Sequence, residues 1–462
     1  MPDPHPSPDS IGSITVITRI EIDGFKTFSN FSADLRPFVA VVGPNASGKS
    51  NLFDALKFLS RLAQVDIRQA IQELRGEPEE LFRRTPAGVQ EKMKFGIEVL
   101  LPRRGVDDFG ASFETPAQRL RYEIAVEMKS APQGLFVTHE DCRIIRADDD
   151  RLIFNTLDKL SRSSRKTPFL ETELDSSGSP RAFIIRQDGV AESGTSKRGN
   201  PLQLPAAEAS RSALSTIATS EFRHLYALKK LISGPQFLEI NPSSARKAND
   251  RFEDKKLRSD ASNLAASLSE IQRHSASENR PSGAISDISA DLATLIPQVK
   301  NVRVIDDKLS REYAFEVEGS DGTAFSSRVI SDGTIRLLAL LTVINDPYRR
   351  GILCFEEPEN GVHEGRIPDL ISILRMATNI QDSVGDYFQV LINTHSPAVM
   401  RSLDSEEVLF ADMVRSISNE GKRSEIRTRM RRIFPSKGLF DDEHHLYPEK
   451  VEEILKNREG GI

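Results

Sequence analysis

The chain predicts an α/β fold, and three short stretches carry that prediction. In the first, Val39-Ala40-Val41-Val42 reads as a buried strand, Gly43 to Ser50 fits G-x-x-x-x-G-K-[ST], and Leu52 to Leu59 continues with helical spacing. In the second, Ile352-Leu353-Cys354-Phe355 runs directly into the paired acids Glu356 and Glu357. In the third, Phe388 to Asn393 is an apolar strand that ends in Thr394-His395-Ser396-Pro397. Each stretch is a strand that hands polar residues to the loop at its carboxyl end.

The spacing of the first stretch has a chemical reason. Gly43 and Gly48 let the backbone of Pro44, Asn45, Ala46 and Ser47 curl so that successive N–H groups face phosphate oxygens, and the following helix adds its positive end. Lys49 would then reach the β- and γ-phosphates, Ser50 would place its hydroxyl on Mg²⁺, and Asn51 continues the loop into the helix. In the second stretch, a buried strand that delivers paired acids at its carboxyl end is how a P-loop enzyme brings a magnesium ligand and a water-activating base to the γ-phosphate. His395 stands where a sensor of the γ-phosphate is needed.

Composition bounds the rest. The chain has 462 residues, enough for two or three domains or one large core with insertions. With 38% hydrophobic and 28% charged residues it is of the soluble globular type, and it lacks a run of about 18 apolar residues that would span a membrane. The proline-rich start has no secretion signal, and two cysteines, Cys142 and Cys354, make neither a disulfide framework nor a zinc pattern, so a cytoplasmic address is expected. A net charge of −6 does not advertise nucleic-acid binding. The basic run Lys422 to Arg432 reads as a solvated or partner-facing helix, with phosphate contact as the alternative.

In chain order, residues 1–13 are expected as a disordered tail and 14–155 as the amino-terminal half of the core. Strands are expected at Ile14 to Ile22, Met93 to Val99, Leu120 to Met128 and Leu135 to Glu140, which together suggest an antiparallel sheet. Residues 156–206, rich in Ser, Gly, Arg and Pro, read as a mobile polar loop with one short strand near Phe183. Residues 207–325 form a mostly helical insert, with a short strand at Gln236 to Ile240 and a strand pair at Val299 to Ile305 and Tyr313 to Glu318. Residues 326–402 complete the core, starting with Ser331-Asp332-Gly333-Thr334 as a helix cap. Residues 403–462 are an accessory segment. Its Asp441-Asp442-Glu443-His444-His445 reads as a solvated loop, because contiguous residues do not converge on one ion. No heptad repeat is sustained, which argues against a long coiled coil.

The order GPNASGKSN, ISDGTIRLLAL, ILCFEEPENGVH, VLINTHSP resembles the ABC-type ATPases of the SMC/RecF-like class. It is most similar to the compact bacterial AAA-family ATPases that include overcoming-lysogenization-defect-like and antiphage ATPases. That resemblance implies an ABC-type P-loop ATPase head: a RecA-like core, an antiparallel β subdomain and a helical signature subdomain. It implies ATP and Mg²⁺ as ligands, Gly43 to Asn51 as Walker A, Glu356 as the magnesium-binding acid of Walker B, Glu357 as catalytic base and His395 as switch histidine. Ser331 and Gly333 would belong to a signature segment that contacts the nucleotide of an opposite protomer. Two features depart from the pattern: Glu356 stands where Asp is usual, and Val362-His363-Glu364 replaces Leu-His-Pro. No Q-loop glutamine is placed.

The resemblance further implies an ATP-sandwich homodimer or higher homo-oligomer that engages and disengages as ATP is bound and hydrolysed. Such a switch would control a separate effector protein, such as a nuclease, in antiphage defence. The alternatives are an ATPase that clamps double-stranded DNA in repair or chromosome maintenance, and a non-hydrolysing scaffold dimerised by ATP.

Overall fold

The structure, a computed structural model, describes residues 16–130, 133–152, 163, 165–188, 200–378, 388–417, 424–433, 446–447, 451 and 454–455. Its central layer is a six-stranded sheet in the order Gln236–Leu238, Gly351–Glu356, Phe388–Thr394, Phe38–Val42, Val408–Ile417, Ser424–Arg432. The first five strands run parallel and the sixth turns back antiparallel.

A strand covered on both faces needs apolar residues at every position, and Phe38–Val42 is buried throughout. Val39, Val41, Cys354 and Leu391 belong to one core, while Phe38, Ala40, Val42, Phe355 and Ile392 belong to another on the opposite face. The first core holds the helix Lys49–Leu62 and a large antiparallel sheet. The second holds the helices Leu264–Ser275, Ile285–Leu295, Asp332–Ile344 and Ile367–Ala377.

The antiparallel sheet has eight strands, in the order Leu202–Pro205, Pro180–Ile185, Leu170–Leu174, Gln133–Ile144, Arg119–Ser130, Lys92–Leu100, Val16–Asp23, Phe31–Asp34. Three of these lie in the segment expected to be a loop with one strand. Leu170 and Ile185 are buried partners at one end of the Leu170–Leu174 pairing, which continues the sheet outward from Cys142. The composition misleads because residues 171–174 are only half-covered or exposed, so they need not be apolar. The remaining loop residues, 156–162, 164 and 189–199, lie outside the described residues, as does the expected tail at 1–13.

The 207–325 region is helical with an antiparallel sheet of its own, in which Val299–Asp307 pairs with Glu312–Gly319. One of its strands belongs elsewhere: Gln236–Leu238 joins the central sheet beside Gly351–Glu356. Among the described residues the longest helix is Lys49–Leu62, at 14 residues, so they contain no long coiled coil. None of the described helices is long and apolar enough to cross a membrane.

The basic run corrects its expectation, since Ser424–Arg432 is a strand. Thr428 and Met430 are buried while Arg427, Arg429 and Arg431 alternate with them, and Arg429 and Arg431 bind Asp412 on the neighbouring strand at 2.7 and 2.9 Å. That period of two is a strand signal, masked in the sequence by the density of charge. Asp441 to His445 lie outside the described residues.

Candidate functional site

Register brings the three sequence motifs together. Glu356 pairs with Asn393 and Thr394 with Val42, so Gly43, Glu357 and His395 leave adjacent parallel strands at the same carboxyl edge. That edge is where α/β sheets bind ligands.

The phosphate loop is a tight turn that exposes its tip, Asn45 and Ala46, and buries its base, Gly43, Pro44 and Ser47. Ala46 and Gly48 sit at φ of 61° and 91°, in left-handed backbone that turns amides inward. Lys49 folds back over the loop, its Nζ donating to the carbonyls of Gly43 at 2.7 Å and Pro44 at 2.9 Å. Burial pushes its ammonium below the ordinary lysine range, and the carboxylates of Glu357, Glu356 and Glu359 pull it back. Ser50 is half-buried at the first turn of the helix, and Asn51 Nδ2 donates to Thr27 Oγ1 at 2.8 Å.

Glu357 adopts φ of 50°, an uncommon conformation for a residue with a side chain. Asn393 holds it there: the Glu357 N–H donates to the Asn393 carbonyl at 2.9 Å and to its Oδ1 at 3.3 Å. The carboxylate is fixed on both oxygens, by His395 Nδ1 at 3.1 Å and by Asn360 Nδ2 at 2.8 Å. Glu356 points to the face covered by the phosphate-loop helix, where Arg75 Nη2 meets it at 3.2 Å. Beside it lies a cavity of about 440 Å³ that Asp54, Arg75, Glu239, Arg336 and Glu356 line.

Three contributors escape a reading of motifs. Glu359 is largely buried, which pushes its carboxyl up; one oxygen accepts the Thr394 hydroxyl and the other has no partner. Thr394 Oγ1 in turn accepts the Ser396 N–H at 2.9 Å, so Glu359 ties down the turn that carries His395. Asn393 is the second and Arg246 the third. Arg246 donates to the Ile330 carbonyl at 2.7 Å and pairs with Asp332, and so pins the start of the helix Asp332–Ile344. Glu359 and Asn393 stand inside the motifs, but what each holds lies on a neighbouring strand, and Arg246 comes from a distant segment.

Ser331 caps that helix, its Oγ accepting the Thr334 N–H at 3.2 Å. Gly333 packs on Gly361, and a Cβ on Gly333 would stand 3.0 Å from the Gly361 Cα. The segment Ser331 to Thr334 is thereby joined to the turn after Glu357. Among the described residues no hydrogen bond or ion pair links Ser331 or Gly333 to Gly43 through Asn51.

Residues 38–401 match the family described as "AAA domain, putative AbiEii toxin, Type IV TA system". The chain belongs to this AAA family. It is an ATPase of the AAA type, and the matched span runs from the phosphate-loop strand through His395. An Smc head bound to the C-winged helix domain of ScpA is 12% identical, with 90% of this chain and 98% of that one covered and a TM-score of 0.49. The Smc head domain with an extended coiled coil bound to the C-terminal domain of ScpA, derived from Pyrococcus furiosus, is also 12% identical, covering 96% and 100%, with a TM-score of 0.48. The chromosome partition protein Smc of Methanocaldococcus jannaschii is 45% identical over 47 residues, which are 10% of this AAA-family chain and 4% of the length of that relative.

Nucleotide and Mg²⁺ fit this donor set. Lys49 occupies neutral carbonyls that a phosphate would outcompete, and the carboxylates of Glu356, Glu357 and Glu359 outnumber the cations of Lys49 and Arg75 beside them, leaving negative charge that a divalent cation would balance. Among the described residues no three His, Cys, Asp or Glu side chains form a metal cage. Mg²⁺ keeps waters and substrate phosphate oxygens in its shell, so a cage of three protein side chains is not required, and Ser50 and Glu356 would be enough to hold it.

Proposed function

We propose that this chain binds and hydrolyses ATP as a dimeric switch that controls a separate effector protein, such as a nuclease, in antiphage defence. The observation that carries the ATPase part is Glu357, a carboxylate held on both oxygens in a left-handed turn beside Lys49 and His395. A base oriented this firmly aligns and deprotonates a water without reorganising as it reacts. Bound Mg²⁺, held by Ser50 and Glu356, would supply charge neutralisation. Lys49 releases the loop carbonyls to hold phosphate oxygens, and His395 orients Glu357 and senses the transferred group.

Self-association rests on the signature segment. Ser331 and Gly333 have their helix end free of any bond to the phosphate loop of their own chain, as expected if they serve the loop of a second copy. Effector control rests on the resemblance of the four motifs to antiphage ATPases, and the family's description, which links the AAA domain to a "putative AbiEii toxin, Type IV TA system", is compatible with a role in defence. Clamping of double-stranded DNA is the second reading, favoured by the 47-residue likeness to a chromosome partition protein.

Glu357→Gln should preserve ATP binding and lower kcat by about 10²-fold or more, the usual scale of a lost general base. Unchanged turnover in that variant would remove Glu357 from the role. The same variant, tagged and purified from its host in ATP and Mg²⁺, should carry a second polypeptide at fixed stoichiometry. A bare homodimer that binds duplex DNA in a salt-sensitive way would favour the DNA reading instead.

A further inference from the structure

Both glycines of the phosphate loop lean on the carboxyl-terminal hairpin formed by Val408–Ile417 and Ser424–Arg432. A Cβ on Gly43 would collide with the Ala411 carbonyl of the first strand, and a Cβ on Gly48 with the Thr428 side chain of the second. Thr428 is buried, and its N–H donates to the Thr27 carbonyl at 3.0 Å.

The hydroxyls at this contact form a chain, with Met413 Sδ at 3.5 Å as a second acceptor within reach of Thr428. Asn51 Nδ2 donates to Thr27 Oγ1 at 2.8 Å, Thr27 and Thr428 share a bond of 2.6 Å, and Thr428 Oγ1 reaches the Ser47 carbonyl at 3.3 Å. Each hydroxyl has one proton. If Thr27 donates to Thr428 and Thr428 to Ser47, every hydroxyl donates once and accepts once, and the chain ends on the peptide that leads into Gly48. That peptide is the hinge of the anion cradle, since Gly48 at φ of 91° sets the direction of the amides that follow.

We infer that Thr428 is a positioning residue for ATP binding: through Thr27 and the Ser47 carbonyl it holds the phosphate loop in its binding shape and makes nucleotide affinity depend on the carboxyl-terminal hairpin. The inference rests on the ATP-binding reading above. Thr428 is 381 residues from Ser47 in the chain, and the hairpin lies beyond the family match. An affinity set there gives residues outside the common core a direct hold on the nucleotide site.

The test uses the full chain and the Kd for an ATP analogue with a β,γ-imido linkage. Thr428→Val keeps the packing on Gly48 and removes the hydroxyl, so Kd should weaken by about 3- to 10-fold, the scale of one net hydrogen bond. KM for ATP should rise in step while kcat stays within about twofold, because the contact is equal in ground and transition states. Thr428→Ser, which retains the hydroxyl, should bind as the wild type does. Thr27→Val breaks the same chain one link earlier, so it should match Thr428→Val, and the double variant should be no weaker than either. A wild-type Kd in Thr428→Val, or effects of the two variants that multiply, overturns the inference. Should Thr428→Val fail to fold, Thr27→Val decides by the same Kd: weakened binding supports the inference and wild-type binding overturns it. A wild-type chain that does not bind the analogue defeats the ATP reading itself, an outcome distinct from the others.

Discussion

Two acids three positions or fewer from Glu356 have opposite surroundings, and the difference separates their tasks. Glu357 is held on both oxygens, while Glu359, half-buried as a residue, has one buried oxygen unpaired. A buried carboxylate with an empty valence is a cost that Glu359→Gln would relieve, because the amide oxygen can still accept the Thr394 hydroxyl. Unfolding in urea should show Glu359→Gln as stable as the wild type or more so by about 1 kcal/mol, and Glu359→Ala weaker by about 1–3 kcal/mol, since it orphans the Thr394 hydroxyl. In the alanine variant the turn carrying His395 loses its tie, and kcat should fall with it. Equal stability of Glu359→Ala and wild type would show that the Thr394 contact holds nothing. The meeting of Glu357, His395 and Lys49 at one edge was legible because each stands inside a run of residues that folds as one strand and turn. Asn393, Thr428 and Arg246 were not, because their roles exist only once strands far apart in sequence lie side by side.

At the level of elements, the sheet and helix expectations held where one face is buried and periodic, and failed where coverage thins. The strands at Lys92–Leu100 and Arg119–Ser130 announce themselves by apolar residues at every second position, Met93, Phe95, Ile97 and Val99 in one and Leu120, Tyr122, Ile124 and Val126 in the other, all buried, whereas Leu170–Leu174 is half-covered and reads as a loop. The seam between this sheet and the phosphate-loop helix has its own chemistry. Glu140, fully buried, accepts the Tyr122 hydroxyl at 2.7 Å and the N–H groups of Ala213 at 2.6 Å and Leu214 at 2.9 Å. Ser212 continues that segment to the Leu62 carbonyl at 2.7 Å, at the end of the helix. Burial pushes the Glu140 carboxyl up to about 7. A folded-state value above the unfolded one means the native state binds the proton more tightly, so this contribution is full below about pH 4.5 and is lost as pH rises through about 7. The wild type should therefore lose stability relative to Glu140→Gln between pH 5 and 8, on the order of 3 kcal/mol at full effect. Urea midpoints of the two proteins across that range check it, and a constant difference would mean that Glu140 does not titrate there.

For the whole molecule, the question is whether one chain holds a complete site. Lys49, Glu357 and His395 converge on one edge of the central sheet, while Ser331 and Gly333 are fastened elsewhere, by Arg246 through Asp332 and by the contact with Gly361. Gly361, at φ of 94°, leaves no room between the two segments, so the start of the helix Asp332–Ile344 and the turn after Glu357 are packed directly on each other as one piece. If that piece serves a second copy, two differently broken chains should repair each other. Lys49→Ala removes phosphate binding and Ser331→Arg blocks the signature surface, and each alone should be inactive. In an equal mixture, a heterodimer pairs the intact loop of the Ser331→Arg chain with the intact signature of the Lys49→Ala chain, which rebuilds one of two symmetric sites. With random exchange half the dimers are mixed, so ATP hydrolysis should return to about one quarter of the wild-type rate. A site formed within one chain would stay silent in the mixture, and Ser331 would then be a helix cap and nothing more.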